Sequence, residues 1–154
     1  MQKLQFKIEI NAPVARVYNL MLGLDNKQSY EEWTAAFNPT STYEGSWLKG
    51  SKILFIGTAK DGKRGGMIAE IAENIPNQFV SIHHRGILDG DQEITEGEAV
   101  ELWASGFENY TFEELDSISL LTIDVDIPEE YLDYMNGVWP KALARLKELA
   151  ENMS

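Results

Sequence analysis

Polar and apolar residues alternate without interruption at the start of the chain. Leu4, Phe6, Ile8 and Ile10 fall on one face, and Lys3, Gln5, Lys7 and Glu9 on the other. A period of two is that of a strand covered on one side, so residues 3–10 are predicted as a strand. Asn11 then offers a helix cap and Pro13 suits a first turn. Val14, Val17, Tyr18 and Met21 recur at helical spacing as far as Gly23. A second short helix is expected to open at Asp25, with Tyr30, Trp33, Thr34 and Phe37 as its apolar face and Pro39 beyond its end.

From Thr40 the pattern changes to strands and tight turns. Short strands are expected over residues 41–45 and 51–59; in the second, Ile53, Leu54, Phe55 and Ile56 form an unbroken apolar run that implies burial on both sides. Asp61-Gly62 is a strong hairpin signal. Residues 67–75 return as a strand, Pro76-Asn77 turns the chain, and residues 79–88 form the next strand. Residues 89–97 read as a polar, acidic loop. Residues 99–115 are long enough for a bent strand with its bend at Gly106. Asp116-Ser117 makes the last turn, before a strand over residues 118–127.

After Pro128 the period becomes helical. Tyr131, Met135, Trp139, Leu143, Leu146 and Ala150 lie three or four apart, which predicts an amphipathic helix over residues 129–152 of about six turns. Asn136-Gly137 and Pro140 interrupt it, and a kink or break is expected there, either as a fixed feature or as a gate for ligand. Successive strands joined by short turns imply an antiparallel meander. The expected fold is therefore α+β: a curved antiparallel sheet of about six to seven strands wrapped around the terminal helix, which alone is long enough to cover it. Space left between sheet and helix is a common origin of a ligand pocket.

Composition narrows the function. A length of 154 residues fits one domain spanning 1–154, and 44% hydrophobic content supports a real core. There is no cysteine, which removes disulfides, thiolate metal sites and cysteine nucleophiles. The net charge of −12 repels phosphate backbones and anionic membranes, so nucleic-acid binding is not expected. The nearest approach to a basic cluster, Lys60, Lys63 and Arg64, reads as a solvated hairpin tip. No run approaches the roughly 18 apolar residues of a membrane span, and the first residues lack the pattern of a signal peptide. A soluble cytoplasmic protein with no membrane insertion is the expectation.

Four segments carry a resemblance: "NAPVARVYNLM" after the first strand, "GGMIAEIAENIPNQFVSIHH" in the middle, "YTFEELDSISLLTIDVDIP" near the end and "GVWPKALARLKELAE" in the closing helix. Together they resemble the SRPBCC superfamily, which includes START lipid-binding domains and polyketide cyclases. Within it they are most similar to the branch named for the activator of the heat-shock-protein-90 ATPase. The resemblance implies a helix-grip fold with a hydrophobic cavity, in a superfamily that uses its pocket for many ends. Residues 89–97 depart from it, being long and acidic where many relatives have a short turn.

Candidate chemistry is sparse. His83 and His84 are adjacent on a predicted strand, point to opposite faces and cannot chelate one ion together. If Val80 and Ile82 face inward, so does His84, the best acid–base candidate. Glu70 is expected to face solvent, while Glu108 shares its parity with Tyr110 and Phe112 and faces inward unless a bulge intervenes. Arg85 reaches such a carboxylate only if its own register shifts. Glu101 is a third carboxylate in a predicted strand. Asp89, Asp91 and Glu93 imitate the start of a calcium loop, but Ile94 and Val100 stand where glycine and glutamate are required. No metal and no cofactor are expected. The catalytic candidates are His84, Glu108 and Tyr110. The expected cavity wall comprises Trp33, Phe37, Phe55, Met67, Ile82, His84, Trp103, Tyr110, Phe112, Met135, Trp139 and Leu143.

Three functions fit. The favoured one is non-enzymatic binding of a small apolar molecule, of lipid, steroid-like or polyketide-like type. The second is a cyclase or hydrolase that uses the same cavity, and the third an interaction module that stimulates a chaperone ATPase. No particular protein partner is indicated.

Overall fold

The first strand, β1 (Gln2–Ile10), pairs antiparallel over its whole length with the last, β8 (Ile118–Ile127), from Gln2 opposite Ile127 to Ile10 opposite Ser119. The computed structural model describes residues 2–59, 61–103 and 106–152, apart from the side chains of Ala99 and Trp103. Helix α1 (Val14–Leu22) follows Pro13, which takes the cap position itself in place of Asn11. The Val14 amide is served from a distance by the Glu114 carboxylate, at 2.8 Å. A negative charge there also complements the helix dipole. Gly23 ends the helix at φ 67°, a conformation that costs glycine little. Helix α2 (Lys27–Thr34) is capped by Asn26, which accepts the Gln28 amide, one residue later than expected because Asp25 still belongs to the closing turn of α1.

The strands that follow are β2 (Thr42–Gly45), β3 (Lys52–Thr58), β4 (Arg64–Ile75), β5 (Phe79–Asp89), β6 (Gln92–Ile94) and β7 (Phe107–Leu115). With β1 and β8 they form one antiparallel, open sheet in the order β1-β8-β7-β5-β4-β3-β2, with β6 added on β5. Eight strands stand where six or seven were predicted. The extra one is β6, inside the presumed acidic loop. On the edge of β5, β7 pairs only as far as His83, and β6 takes up residues 87–89. Backbone groups that would lack partners are thereby paired. The acidic side chains are also engaged: Asp89 with Lys63 at 2.6 Å, Glu93 with Lys52 at 2.5 Å, and Asp91 with Arg64 at 3.4 Å. Of the basic cluster at the β3–β4 tip, Lys60 lies outside the described residues.

Residues 99–115 are not one bent strand. Helix α3 (Glu98–Trp103) precedes β7 and packs against β5. Glutamate, alanine and leucine favour a helix there, and the chain must move along one edge of β5 to pass from β6 to β7. Val100 of α3 joins Ile56, Ile68 and Leu88 among the buried residues, and the register puts those three on one face of the sheet. Ile53, Phe55 and Met67 take the other. This explains the continuous apolar run in β3.

Two bulges bend the β4–β5 pair, where Arg85 and Ala72 are the extra residues. Gly66, in the same region, has no space for a Cβ, which would strike the Phe55 carbonyl oxygen. After a short 3-10 turn (Glu129–Tyr131), helix α4 (Leu132–Asn152) runs unbroken through Pro140. Of the kink or break expected there, the break does not occur. Asn136, Gly137 and Pro140 all face solvent, where water can satisfy the carbonyl that Pro140 leaves free, while Val138, Trp139, Ala142 and Leu143 are buried beside them. Helix α4 packs against β1, α1 and α2, and its Trp139, Leu143, Leu146 and Ala150 share one core with Ile71, Ile82, Leu121 and Ile123 of the sheet. This is a helix-grip architecture. No helix among the described residues is long and apolar enough to cross a membrane.

The burial pattern sets a stability contrast. Leu146 is fully buried, and Leu146→Ala should cost about 2–5 kcal/mol in urea denaturation. Leu48 is 72% exposed, and Leu48→Ala should stay within about 0.5 kcal/mol of the parent.

Candidate functional site

Helical spacing on α2 and α4 and the alternation of the strands bring large side chains to one place. Tyr30, Trp33 and Thr34 of α2 face Met135 and Trp139 of α4, four residues apart. Below them lie Phe55 of β3, Met67 of β4, His84 of β5, Glu108 and Tyr110 of β7, and the end of β8 from Val125 to Ile127. Between these walls is a cavity of about 310 Å³, which Phe37, Ser41 and Phe107 complete. Its size lies at the lower end of the roughly 300–1,000 Å³ usual for small-molecule sites. The walls hold one another. The Trp139 ring lies 6.0 Å from Phe6, 6.1 Å from Trp33 and 5.0 Å from Phe37, centroid to centroid. The Trp33 indole N–H donates to the Met21 carbonyl at 2.9 Å, which fixes its ring.

One end of the cavity is polar. Glu108 and Tyr110 are two apart on β7 and share the inner face, and the Tyr110 hydroxyl donates to the Glu108 Oε2. The other carboxylate oxygen lies 3.8 Å from His84 Nε2, beyond a direct hydrogen bond. The His84 side chain is only 11% exposed, and its Nδ1 is buried without a hydrogen-bond partner. Burial, reinforced by the charge of Glu108 and by its hydrogen bond, raises the Tyr110 phenol well above its ordinary range. Tyr30 is raised as well, first by burial and then by Glu108, against a lowering hydrogen bond with Ser41. Both phenols therefore keep their protons, and Tyr110 donates its own to Glu108.

The bulge at Arg85 decides which residues take part. It leaves His84 facing inward with Val80 and Ile82, and turns Arg85 outward to Glu70 at 3.6 Å. Arg85 thus does not reach Glu108. His83 lies on the other face, stacked on Phe107 at 4.3 Å. Glu101 is exposed on α3 and does not sit in a strand.

Of the residues expected at the cavity, Trp33, Phe37, Phe55, Met67, His84, Tyr110, Met135 and Trp139 border it, as does Glu108. Ile82, Phe112 and Leu143 do not. They are buried in the packed core instead, because sheet and helix close together away from the polar end. The Trp103 side chain lies outside the described residues. Tyr30, Thr34, Ser41, Phe107 and the end of β8 were not anticipated as wall residues. Tyr30 could have been found, since it shares the helical face of Trp33 and Thr34. Val125 and its neighbours required the strand register. A shallower depression of about 430 Å³ borders the β3–β4 hairpin, but its Lys63 and Arg64 are committed to ion pairs with Asp89, Asp91 and Glu44.

Fold and cavity together define a helix-grip protein with an aromatic pocket. No protein-family model matches the chain, and no curated protein does. Solved structures do match it. The Aha1 dimer from Colwellia psychrerythraea is similar at 18% identity and a TM-score of 0.68, over 99% of this chain and 98% of that one. Protein MLL2253 from Mesorhizobium loti is similar at 12% identity and a TM-score of 0.70, over 96% of each chain. CalU16 from Micromonospora echinospora is similar at 18% identity and a TM-score of 0.59, over 96% of this chain and 73% of that one. At these identities the likeness establishes the fold alone, and the helix-grip architecture expected from the sequence is the one present.

The raised phenols carry a pH dependence. Above about pH 10 the unfolded chain releases these protons while the folded protein retains them. The unfolded state then binds fewer protons, so the stability these groups contribute, fully present at lower pH, declines as pH rises. The tyrosinate absorbance of the folded protein should therefore omit Tyr30 and Tyr110 until alkaline unfolding. Ionisation of every tyrosine in one step near pH 10, with the fold intact, would contradict this.

Proposed function

We propose that this protein binds a small, largely apolar molecule in the cavity between its sheet and α4. The observation that carries this reading is the space of about 310 Å³ left among Trp33, Phe37, Phe55, Tyr110 and Trp139 although these walls are themselves well packed. Large aromatic surfaces with a few convergent polar groups suit a ring-shaped or acyl body with one polar end. Met67 and Met135 add walls that adapt to shape.

Native mass spectrometry of the protein purified from its own host should show a co-purified small molecule, released on unfolding. The released compound, added back at a hundredfold its dissociation constant, should stabilise the protein by about 2.7 kcal/mol. Met67→Trp, which fills the space, should abolish that gain while the variant still folds. Bare protein from the host, or undiminished binding by folded Met67→Trp, would refute the assignment.

A second reading is supported by the convergence of His84, Glu108 and Tyr110 on one end of the cavity. Two or more polar groups within reach of one substrate atom are what acid–base chemistry of the cyclase or hydrolase kind needs. In it Glu108 or His84 would take a proton and Tyr110, held protonated, would donate a hydrogen bond to developing charge. Turnover of p-nitrophenyl esters that falls by about tenfold or more in Glu108→Gln would support an enzyme. Equal rates in both proteins would count against it.

A further inference from the structure

We propose that the ligand of this cavity carries a protonated amine on its apolar body, and that Glu108 selects it against a carboxylate of the same shape. This rests on the ligand-binding reading above and concerns which molecule the cavity takes.

The charges around the cavity are asymmetric. Among the described residues that line it there is no lysine or arginine, and the acidic ones are Glu108, whose carboxylate meets the inward hydroxyl of Tyr110, and Asp126. Asp126 is already engaged: one oxygen accepts the Phe107 amide at 2.9 Å and the other faces Lys3 at 3.4 Å. Glu108 is different. Its side chain is only 23% exposed, and the protein gives it one hydrogen bond, from Tyr110. A carboxylate has room for about four hydrogen bonds, so Glu108 retains acceptor capacity. The oxygen not used by Tyr110 is 3.8 Å from His84 Nε2, too far for a direct hydrogen bond.

A half-withdrawn negative charge with spare acceptor capacity is costly when alone and favourable when it meets a donor cation. The surrounding rings add to the preference, because the faces of Trp33, Trp139 and Tyr30 attract a cation brought close to them. A ligand carboxylate at the same place would meet like charge in surroundings that screen it poorly. Burial, and after it the charge of Glu108, raises the phenols of Tyr30 and Tyr110.

Three compounds of nearly one shape separate the terms: 4-butylbenzylamine, 4-butylbenzyl alcohol and 4-butylbenzoate. Their binding to the full chain can be followed through the fluorescence of the wall tryptophans and by calorimetry. The measurement belongs at about pH 8, where the amine is still charged. The amine should bind most tightly, on the order of tenfold or more better than the benzoate, with the alcohol between them. Glu108→Gln should bring the three together. Benzoate binding as tightly as the amine, or an amine preference that survives in Glu108→Gln, would overturn the proposal and leave the cavity reading in place. Benzoate binding as tightly as the amine in the wild-type protein overturns the proposal even if the variant does not fold. If none of the three binds, the alcohol included, the cavity reading fails and this inference fails with it.

Discussion

The contact of Trp139 with Phe6, Trp33 and Phe37 is the joint on which the rest of the structure depends. It ties α4 to β1, to α2 and to the segment after α2 at one point. An open antiparallel sheet has an apolar inner face that must be covered, and one helix is narrower than the surface offered. Toward the C-terminal end of α4, Leu143, Leu146 and Ala150 close the gap with ordinary core packing. Toward its start, Met135 and Trp139 border the cavity instead. The cavity thus lies at the end of the helix where large rings, rather than small aliphatic side chains, meet the curved sheet. Bulges at Arg85 and Ala72 supply part of that curvature.

The polar end follows from the same geometry. Because residues on a strand alternate, Glu108 and Tyr110 must share a face, and the inner face is the one already occupied by Tyr110. A carboxylate placed there loses hydration, and the Tyr110 hydroxyl returns only part of it. A group of this kind costs stability, and such costs tend to persist where a ligand or a reaction uses them. The buried Nδ1 of His84 points the same way, since polar atoms without partners are few in folded proteins.

Much of this was legible in the residues. Strict alternation in β1, the turn residues at Asp61-Gly62 and Asp116-Ser117, and the three-four spacing of the terminal helix each reflect a local rule that the fold obeys. The inward direction of His84 and Glu108 followed from parity alone. What escaped was set by longer-range demands. β6 exists because the far edge of β5 needs partners, a requirement no local pattern expresses. Helix α3 was hidden by an apolar alternation that a strand would also show. Pro140 suggested a break, yet burial on both sides of it and solvent at the freed carbonyl keep α4 continuous. The inclusion of Ile82, Phe112 and Leu143 among wall residues failed for a related reason. Parity says which face a residue takes, and only packing says whether that face is filled.

The central claim is that sheet and α4 enclose a space rather than a solid core. Xenon occupies dry apolar cavities without demanding hydrogen bonds, so a crystal pressurised with xenon tests the claim without any knowledge of the natural ligand. The account predicts xenon density bounded by Trp33, Phe55, Tyr110 and Trp139, with α4 unmoved. A crystal in which the Trp139 and Met135 side chains fill that volume and no xenon enters would contradict it.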